Sequence, residues 1–250
     1  MTSPPILLVT GASRGIGAAT AVLAAEQGWA VAVNYVANPQ AADVVVQQIR
    51  AAGGTAIAVQ ADVAVEADVL RLFATVDKEL GRITGLVNNA GIVDQKARVD
   101  EMTVARWQRM WATNITSSFM CAREAVLRMS SKYAGAGGSI VNLSSAAARL
   151  GSPGQYVDYA ASKGAIDAFT LGLAKEVATE GIRVNAVRPG IIDTDIHASG
   201  GLPDRARDLA PSVPMQRAGS AMEVAQAIVW LLSDAASYTT GTIVDVTGGR

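Results

Sequence analysis

Apolar residues in this chain come as short uninterrupted runs, separated by longer stretches with helical periodicity. The runs fall at residues 6–10, 30–35, 55–60, 83–88, 139–145, 182–188 and 242–246. A strand with one wet face alternates apolar and polar side chains, whereas a strand covered on both faces does not. These continuous runs therefore predict parallel strands buried on both sides. Helices are predicted between them, near 15–28, 39–52, 65–80, 101–131, 157–180 and 221–233. Strand–helix alternation along the whole chain predicts an α/β fold, a doubly wound seven-stranded parallel sheet with helices on both faces. Right-handed crossovers in such a sheet put ligands at the carboxyl ends of the strands, near the point where strand order reverses.

No Pro/Ser-rich linker, charge block or internal repeat divides the chain, so residues 1–250 are read as one domain. A stretch rich in Gly, Pro and charge at 200–214 looks like an excursion over the surface, and the wider segment 193–215 is expected to form a substrate lid.

Composition narrows the class. Half of the 250 residues are hydrophobic and 17% are charged, enough to bury a large core without disulfide or metal staples. A formal net charge of −1 provides no basic field for nucleic acid or anionic lipid. The single cysteine, Cys121, excludes an internal disulfide and fits a reducing compartment. The opening Met-Thr-Ser-Pro-Pro lacks the charge and apolar stretch of a signal peptide. No apolar run reaches the roughly 20 residues that span a bilayer. A cytoplasmic protein with neither a nucleic-acid nor a membrane partner is expected, and the sequons at Asn114 and Asn142 are read as chance matches.

The first run leads into Thr10-Gly11-Ala12-Ser13-Arg14-Gly15-Ile16-Gly17 and an alanine-rich helix. Gly11 permits a sharp turn, Gly15 lets backbone approach a phosphate, and Gly17 allows close packing of helix on strand. The helix N-terminus supplies N–H groups for the anion. At the end of the second strand, an acidic residue would bind ribose hydroxyls and repel a 2′-phosphate. Asn34-Tyr35 stands there instead, and Arg14 is placed to pair with that phosphate. NADP(H) is therefore the expected cofactor, and NAD(H) stays open because no second arginine follows Tyr35.

Tyr159-Ala-Ala-Ser-Lys163 opens a predicted helix. A spacing of four puts both side chains on one face. An ammonium beside a phenol is expected to lower its pKa, and a phenol so tuned can pass a proton to a carbonyl or take one from an alcohol. Upstream, Asn142-Leu143-Ser144-Ser145 ends a strand at the ligand edge, and so does Asn88-Asn89-Ala90-Gly91. Arg188-Pro189-Gly190-Ile191-Ile192-Asp193-Thr194 follows the sixth strand, and Asn114 lies within the long fourth helix.

In this order the motifs cover essentially the whole chain, and together they resemble the short-chain dehydrogenase/reductase family. The resemblance implies a Rossmann fold and an oxidoreductase acting on a small alcohol or carbonyl substrate. It makes Tyr159 the general acid/base, and Lys163 the residue that lowers its pKa and holds the nicotinamide ribose. Ser145 would orient the substrate oxygen and Asn114 would hold a water in a proton relay. Gly11, Ser13, Arg14, Gly15, Ile16 and Gly17 would form the cofactor turn, with Asn34 beside it. Asp62 and Val63 would line the adenine, and Asn88, Ala90 and Gly91 would support the adenosine side. Pro189, Gly190, Ile192 and Thr194 would contact the nicotinamide end. A homotetramer is also implied, with the 102–131 and 157–180 helices and the 245–250 segment between subunits.

Within the family the pattern is similar to glucose-dehydrogenase-like and 3-oxoacyl-carrier-protein-reductase-like members. Against the second stands Glu180 before Gly181, where carrier-protein reductases tend to have a basic residue. A non-catalytic NADP-binding regulator is a further alternative, opposed by the joint presence of Asn114, Ser145, Tyr159 and Lys163. The serine assignment involves a departure from the family. Ser145 lies 14 residues before Tyr159 and Ser144 lies 15 before it, both farther than usual. Alignment of the strand favours Ser145, with the extra residue absorbed near 155–158.

Other features predict packing rather than chemistry. Asp193, Asp195 and His197 alternate, but two carboxylates without a second His or Cys make a weak metal site, and no metal is expected. Met120 and Cys121 are expected in a helix core, and Trp107 and Trp111 on one apolar helix face.

Overall fold

A computed structural model describes residues 4–196 and 200–250. Seven parallel strands form one sheet: β1 (Ile6–Val9), β2 (Ala30–Tyr35), β3 (Ala56–Gln60), β4 (Gly85–Asn88), β5 (Gly138–Leu143), β6 (Ile182–Pro189) and β9 (Ile243–Val246). Their order is β3-β2-β1-β4-β5-β6-β9, so the winding direction reverses between β1 and β4. Strand β1 shows why its sequence reads as an unbroken apolar run. Leu8 packs into the core on one side of the sheet, while Leu7 and Val9 pack into the core on the other.

Helices α1 (Gly15–Glu26), α2 (Pro39–Ala51), α3 (Glu66–Glu79), α4 (Val104–Trp111), α5 (Ser117–Met129), α6 (Ala147–Leu150), α7 (Val157–Val177), α8 (Arg205–Leu209) and α9 (Ala221–Leu232) complete the described fold. The core on one side holds Val69, Leu72 and Phe73 of α3, Cys121 and Ala125 of α5, and Ala174 of α7. The other side holds Ala21 of α1, Val45 and Ile49 of α2, and Ile228 of α9.

One sequence expectation needs correction here. The helix expected over 101–131 is not continuous. A π-helical turn at Ala112–Thr116 separates α4 from α5, and such turns frequently occur at functional sites. The excursion after β6 has secondary structure of its own. It carries α8 and a two-stranded parallel pair, β7 (Ile192–Asp193) with β8 (Gly219–Ser220). His197 lies outside the described residues. Among those described, no group of three or more His, Cys, Asp or Glu could hold a metal, and no helix is long and apolar enough to cross a membrane.

Candidate active site

The glycine turn is built where β1 and β4 diverge. Gly11 adopts φ +61°, a left-handed conformation that side-chain-bearing residues rarely take. Its N–H donates to Asn34 Oδ1 at 3.1 Å. Asn34 is fully buried and spends its Nδ2 on the carbonyls of Val59 (3.3 Å) and Ala61 (2.9 Å). Asn34 therefore braces the turn from below, its side chain turned into the fold. Asn88 turns inward likewise, its Nδ2 donating to Asn142 Oδ1 at 2.9 Å and to the Ser118 carbonyl at 3.3 Å. Asn34 and Asn88 shape the cleft without lining it.

The residue that joins the two strand ends is Asn89, to whose side chain the sequence reading gave no role. Its Nδ2 donates to the carbonyls of Thr10 (2.8 Å) and Gly11 (3.0 Å), while Thr10 Oγ1 accepts from the backbone of Asn89 and Ala90. A Cβ on Gly17 would fall 2.5 Å from Asn89 Nδ2, so only glycine lets α1 approach this joint. No side chain caps the N-terminus of α1 and no carboxylate stands in its first turn. Its backbone N–H groups thus face the crevice with the sign that suits a phosphate. Arg14 is exposed at this corner, Ser13 is half-buried, and Gly15 packs against Thr194. Ile16, Gly91, Pro189, Gly190, Ile192 and Thr194 line one continuous pocket with Ser145, Tyr159 and Lys163. At the β3 end, Asp62 accepts from the Ala64 N–H at 2.9 Å, and Val63 is buried in the core.

The other end of the pocket holds the proton-transfer groups. Tyr159 and Lys163 rise from the first turns of α7, with Lys163 Nζ 5.8 Å from the phenol ring centre. Ser145 lines the pocket with the phenol, and its Oγ accepts from the Ala147 N–H at 3.1 Å. Ser144 points elsewhere, donating to the Lys163 carbonyl at 3.2 Å. The irregular segment before Tyr159 contains Gly151, Ser152 and Gly154, all with positive φ. A tight loop of this kind accommodates additional chain length ahead of α7.

Electrostatics differ from the simple pairing expected of Tyr159 and Lys163. Burial pushes the Tyr159 phenol up, with the Ser145 hydrogen bond pulling the other way. Burial also lowers Lys163 to about 8, against the partial support of Asp167. The Lys163 ammonium donates to the Leu143 carbonyl at 2.7 Å. Two buried groups each lose favourable hydration of the charged form, and in this pocket that loss exceeds what the lysine gives the phenol.

Asn114 sits in the π-helical turn, 1% exposed. It is clamped to the strand-end loop, Oδ1 accepting from Ile92 N–H at 2.8 Å and Nδ2 donating to the Ile92 carbonyl at 2.9 Å and to Ser162 Oγ at 3.2 Å. A methyl on Gly91 would lie 3.5 Å from Asn114 Oδ1 and 3.6 Å from Lys163 Nζ, so the three residues meet. Next to Tyr159, Asp158 forms a buried two-pronged ion pair with Arg106 of α4 (2.7 and 3.2 Å), and Arg106 also holds the Gln95 carbonyl at 2.6 Å. Removing either partner would strand a buried charge, so this pair fixes the start of α7. The sequons at Asn114 and Asn142 are buried and hydrogen-bonded, closed to glycosylation. Cys121 is fully buried, and desolvation pushes its thiol up to about 12, an inert core position.

Known proteins resemble this arrangement over nearly the whole chain. The family model described as enoyl-(acyl carrier protein) reductase matches residues 11–250. The uncharacterized oxidoreductase YgfF of Escherichia coli (strain K12) is 56% identical over 98% of this chain and 99% of its own length. A 3-oxoacyl-[acyl-carrier-protein] reductase of Synechocystis is 42% identical, covering 98% of this chain and 96% of its own. Among solved structures, a short-chain type dehydrogenase/reductase from Mycobacterium marinum superposes with a TM-score of 0.92 at 35% identity, over 99% of this chain and 95% of that one. The glycine turn at the β1–β4 crevice and this similarity agree: the chain belongs to the short-chain dehydrogenase/reductase family and is an NAD(P)-dependent oxidoreductase.

Proposed function

We propose that this protein is an NADP(H)-dependent reductase of a small carbonyl compound, or a dehydrogenase of the matching alcohol, with Tyr159 as its general acid/base. One observation carries the reading: Ser145, Tyr159 and Lys163 line the same pocket that reaches the glycine turn, with Lys163 Nζ 5.8 Å from the phenol ring centre. The residues fit a dinucleotide. The uncapped N-terminus of α1 suits a pyrophosphate, and the cleft opened by Gly17 and Asn89 would take the chain of the cofactor. When bound, the nicotinamide supplies or accepts the hydride.

The chain's own residues then handle the oxygen and its proton. Ser145 orients the substrate oxygen by hydrogen bonding. Tyr159 Oη gives that oxygen a proton in the reductive direction and takes one back in the oxidative direction. A phenol kept protonated by burial is already in the form that reduction needs. Lys163, tied to the Leu143 carbonyl, would hold the nicotinamide ribose, and Asn114 would keep a water in the relay that reprotonates the phenol. Preference for NADP(H) rests on Arg14 and on the absence of a carboxylate at the end of β2, where Tyr35 and Val36 stand. A homotetramer accords with the exposed apolar residues Trp111, Phe119 and Leu171 on α4, α5 and α7.

The Synechocystis relative favours a second reading, reduction of a 3-oxoacyl group carried by a protein thioester. Glu180 weighs against it. Its carboxylate accepts from Ser130 at the end of α7, where an acidic carrier would be repelled. Absorbance of NADPH, followed with a panel of ketones, dicarbonyls, sugars and acyl thioesters, tests the proposal. Oxidation of NADPH with a small carbonyl supports it, and binding of NADPH without turnover of any substrate refutes it.

A further inference from the structure

The pocket that holds Tyr159 and Ser145 also carries three cations, Lys163, Arg205 and Arg250, and no carboxylate side chain lines it among the described residues. Lys163 is engaged with the Leu143 carbonyl. Arg205 is placed differently. It comes from α8, in the excursion between β7 and β8, away from the strand ends that bear the glycine turn. Its Nη1 donates to Gln155 Oε1 at 2.9 Å, and its guanidinium carbon lies 5.2 Å from the centre of the Tyr156 ring. Gln155 and Tyr156 belong to the loop that enters α7, and Tyr156 is buried three residues before Tyr159.

These contacts fix the plane of the guanidinium and use one of its five donors. Arg207, two residues on, is neutralised by Asp204 at 3.1 Å and Asp208 at 3.5 Å. Arg205 forms no such ion pair among the described residues, although it is half-buried in the pocket wall. A preorganised guanidinium in the wall of the pocket that holds Tyr159, fixed by a neutral amide and an aromatic face, matches an oxyanion on a ligand. We propose that Arg205 binds an anionic group, a carboxylate or a phosphate, carried by the carbonyl substrate itself. The inference rests on the reductase reading and narrows its substrate class to carbonyl compounds with a negative charge within reach of Tyr156.

The test compares 3-oxobutanoate with its methyl ester as substrates, and the 4′-phosphopantetheine thioester of 3-oxobutanoate with its dephosphorylated form. NADPH oxidation is followed with the full-length protein. A charge-assisted contact predicts kcat/KM about 10-fold to 100-fold higher for the charged member of one pair, mostly through KM. Preference within the first pair identifies a carboxylate, and preference within the second identifies a phosphate. Arg205→Gln should bring the favoured ratio close to one, and Arg205→Lys should restore part of it. Equal rates for charged and neutral partners, or a ratio untouched by Arg205→Gln, would overturn the inference and leave the reductase reading standing. Calorimetric titration of the NADPH complex with butanoate against methyl butanoate, and with 4′-phosphopantetheine against pantetheine, reads the same two preferences without turnover. Silence of all four carbonyl compounds as substrates leaves the reductase reading to the wider panel, while the anion site is judged by binding: tighter binding of a charged ligand that Arg205→Gln abolishes upholds it, and equal binding overturns it.

Discussion

Replacing Lys163 by methionine tests the electrostatics of the pocket through folding stability. Burial lowers this lysine from an ordinary 10.5 to about 8. At roughly 1.4 kcal/mol per pH unit, a charged Lys163 costs the native state about 3 kcal/mol below pH 8, where folded and unfolded chains both hold the proton. Between pH 8 and 10.5 the unfolded chain still holds it and the folded chain does not, so stability rises with pH across that window. Above 10.5 the cost is gone. Lys163→Met removes the titrating group, and the lost bond to the Leu143 carbonyl sets only the starting offset. The stability of the parent protein minus that of the variant should therefore grow by roughly 2 to 3 kcal/mol from pH 7 to pH 10. Urea unfolding of both proteins at pH 7, 8, 9 and 10, at one protomer concentration, measures it. Other groups that titrate in this range cancel in the difference. A flat or falling difference over this range would contradict a lysine lowered by burial.

Three further outcomes follow from placement. Ser145→Ala should lose far more turnover than Ser144→Ala, with NADPH affinity kept in both; the reverse order in steady-state assays would mean that the hydroxyl on the phenol is not the working one. Arg14→Ala should narrow the ratio of NADPH to NADH affinity, read by fluorescence titration, and an unchanged ratio would make Arg14 a bystander. Light scattering at micromolar concentration should give the mass of a tetramer, and a sharp monomer mass would contradict the assignment of the α4, α5 and α7 faces to subunit contacts.

The sheet was legible because parallel strands buried on both faces, such as Leu7-Leu8-Val9, leave continuous apolar runs. The positions of Tyr159 and Lys163 were legible because four-residue spacing fixes a shared helix face. What sequence spacing could not convey was burial. It brought an ammonium near a phenol but said nothing of the desolvation that pushes Tyr159 up and Lys163 down. Orientation was hidden too. Asn34 stands at the end of β2 as expected, yet its side chain points under the glycine turn because three backbone groups there need a partner. The π-helical turn at Asn114 lies inside a stretch with helical residues on both sides, so the pattern read as one long helix. Asn89 had a signal available: a polar residue between Asn88 and Ala90, opposite the glycine turn, with a strand-end joint to hold.

Tyr159→Phe bears most directly on proton transfer at this site. The substitution deletes the phenolic oxygen and keeps the ring in the pocket wall. NADPH should bind with nearly unchanged affinity, while carbonyl reduction under single-turnover conditions should fall by roughly 100-fold or more. Reduction at a near-normal rate by the phenylalanine variant would contradict the assignment of Tyr159 as the proton donor.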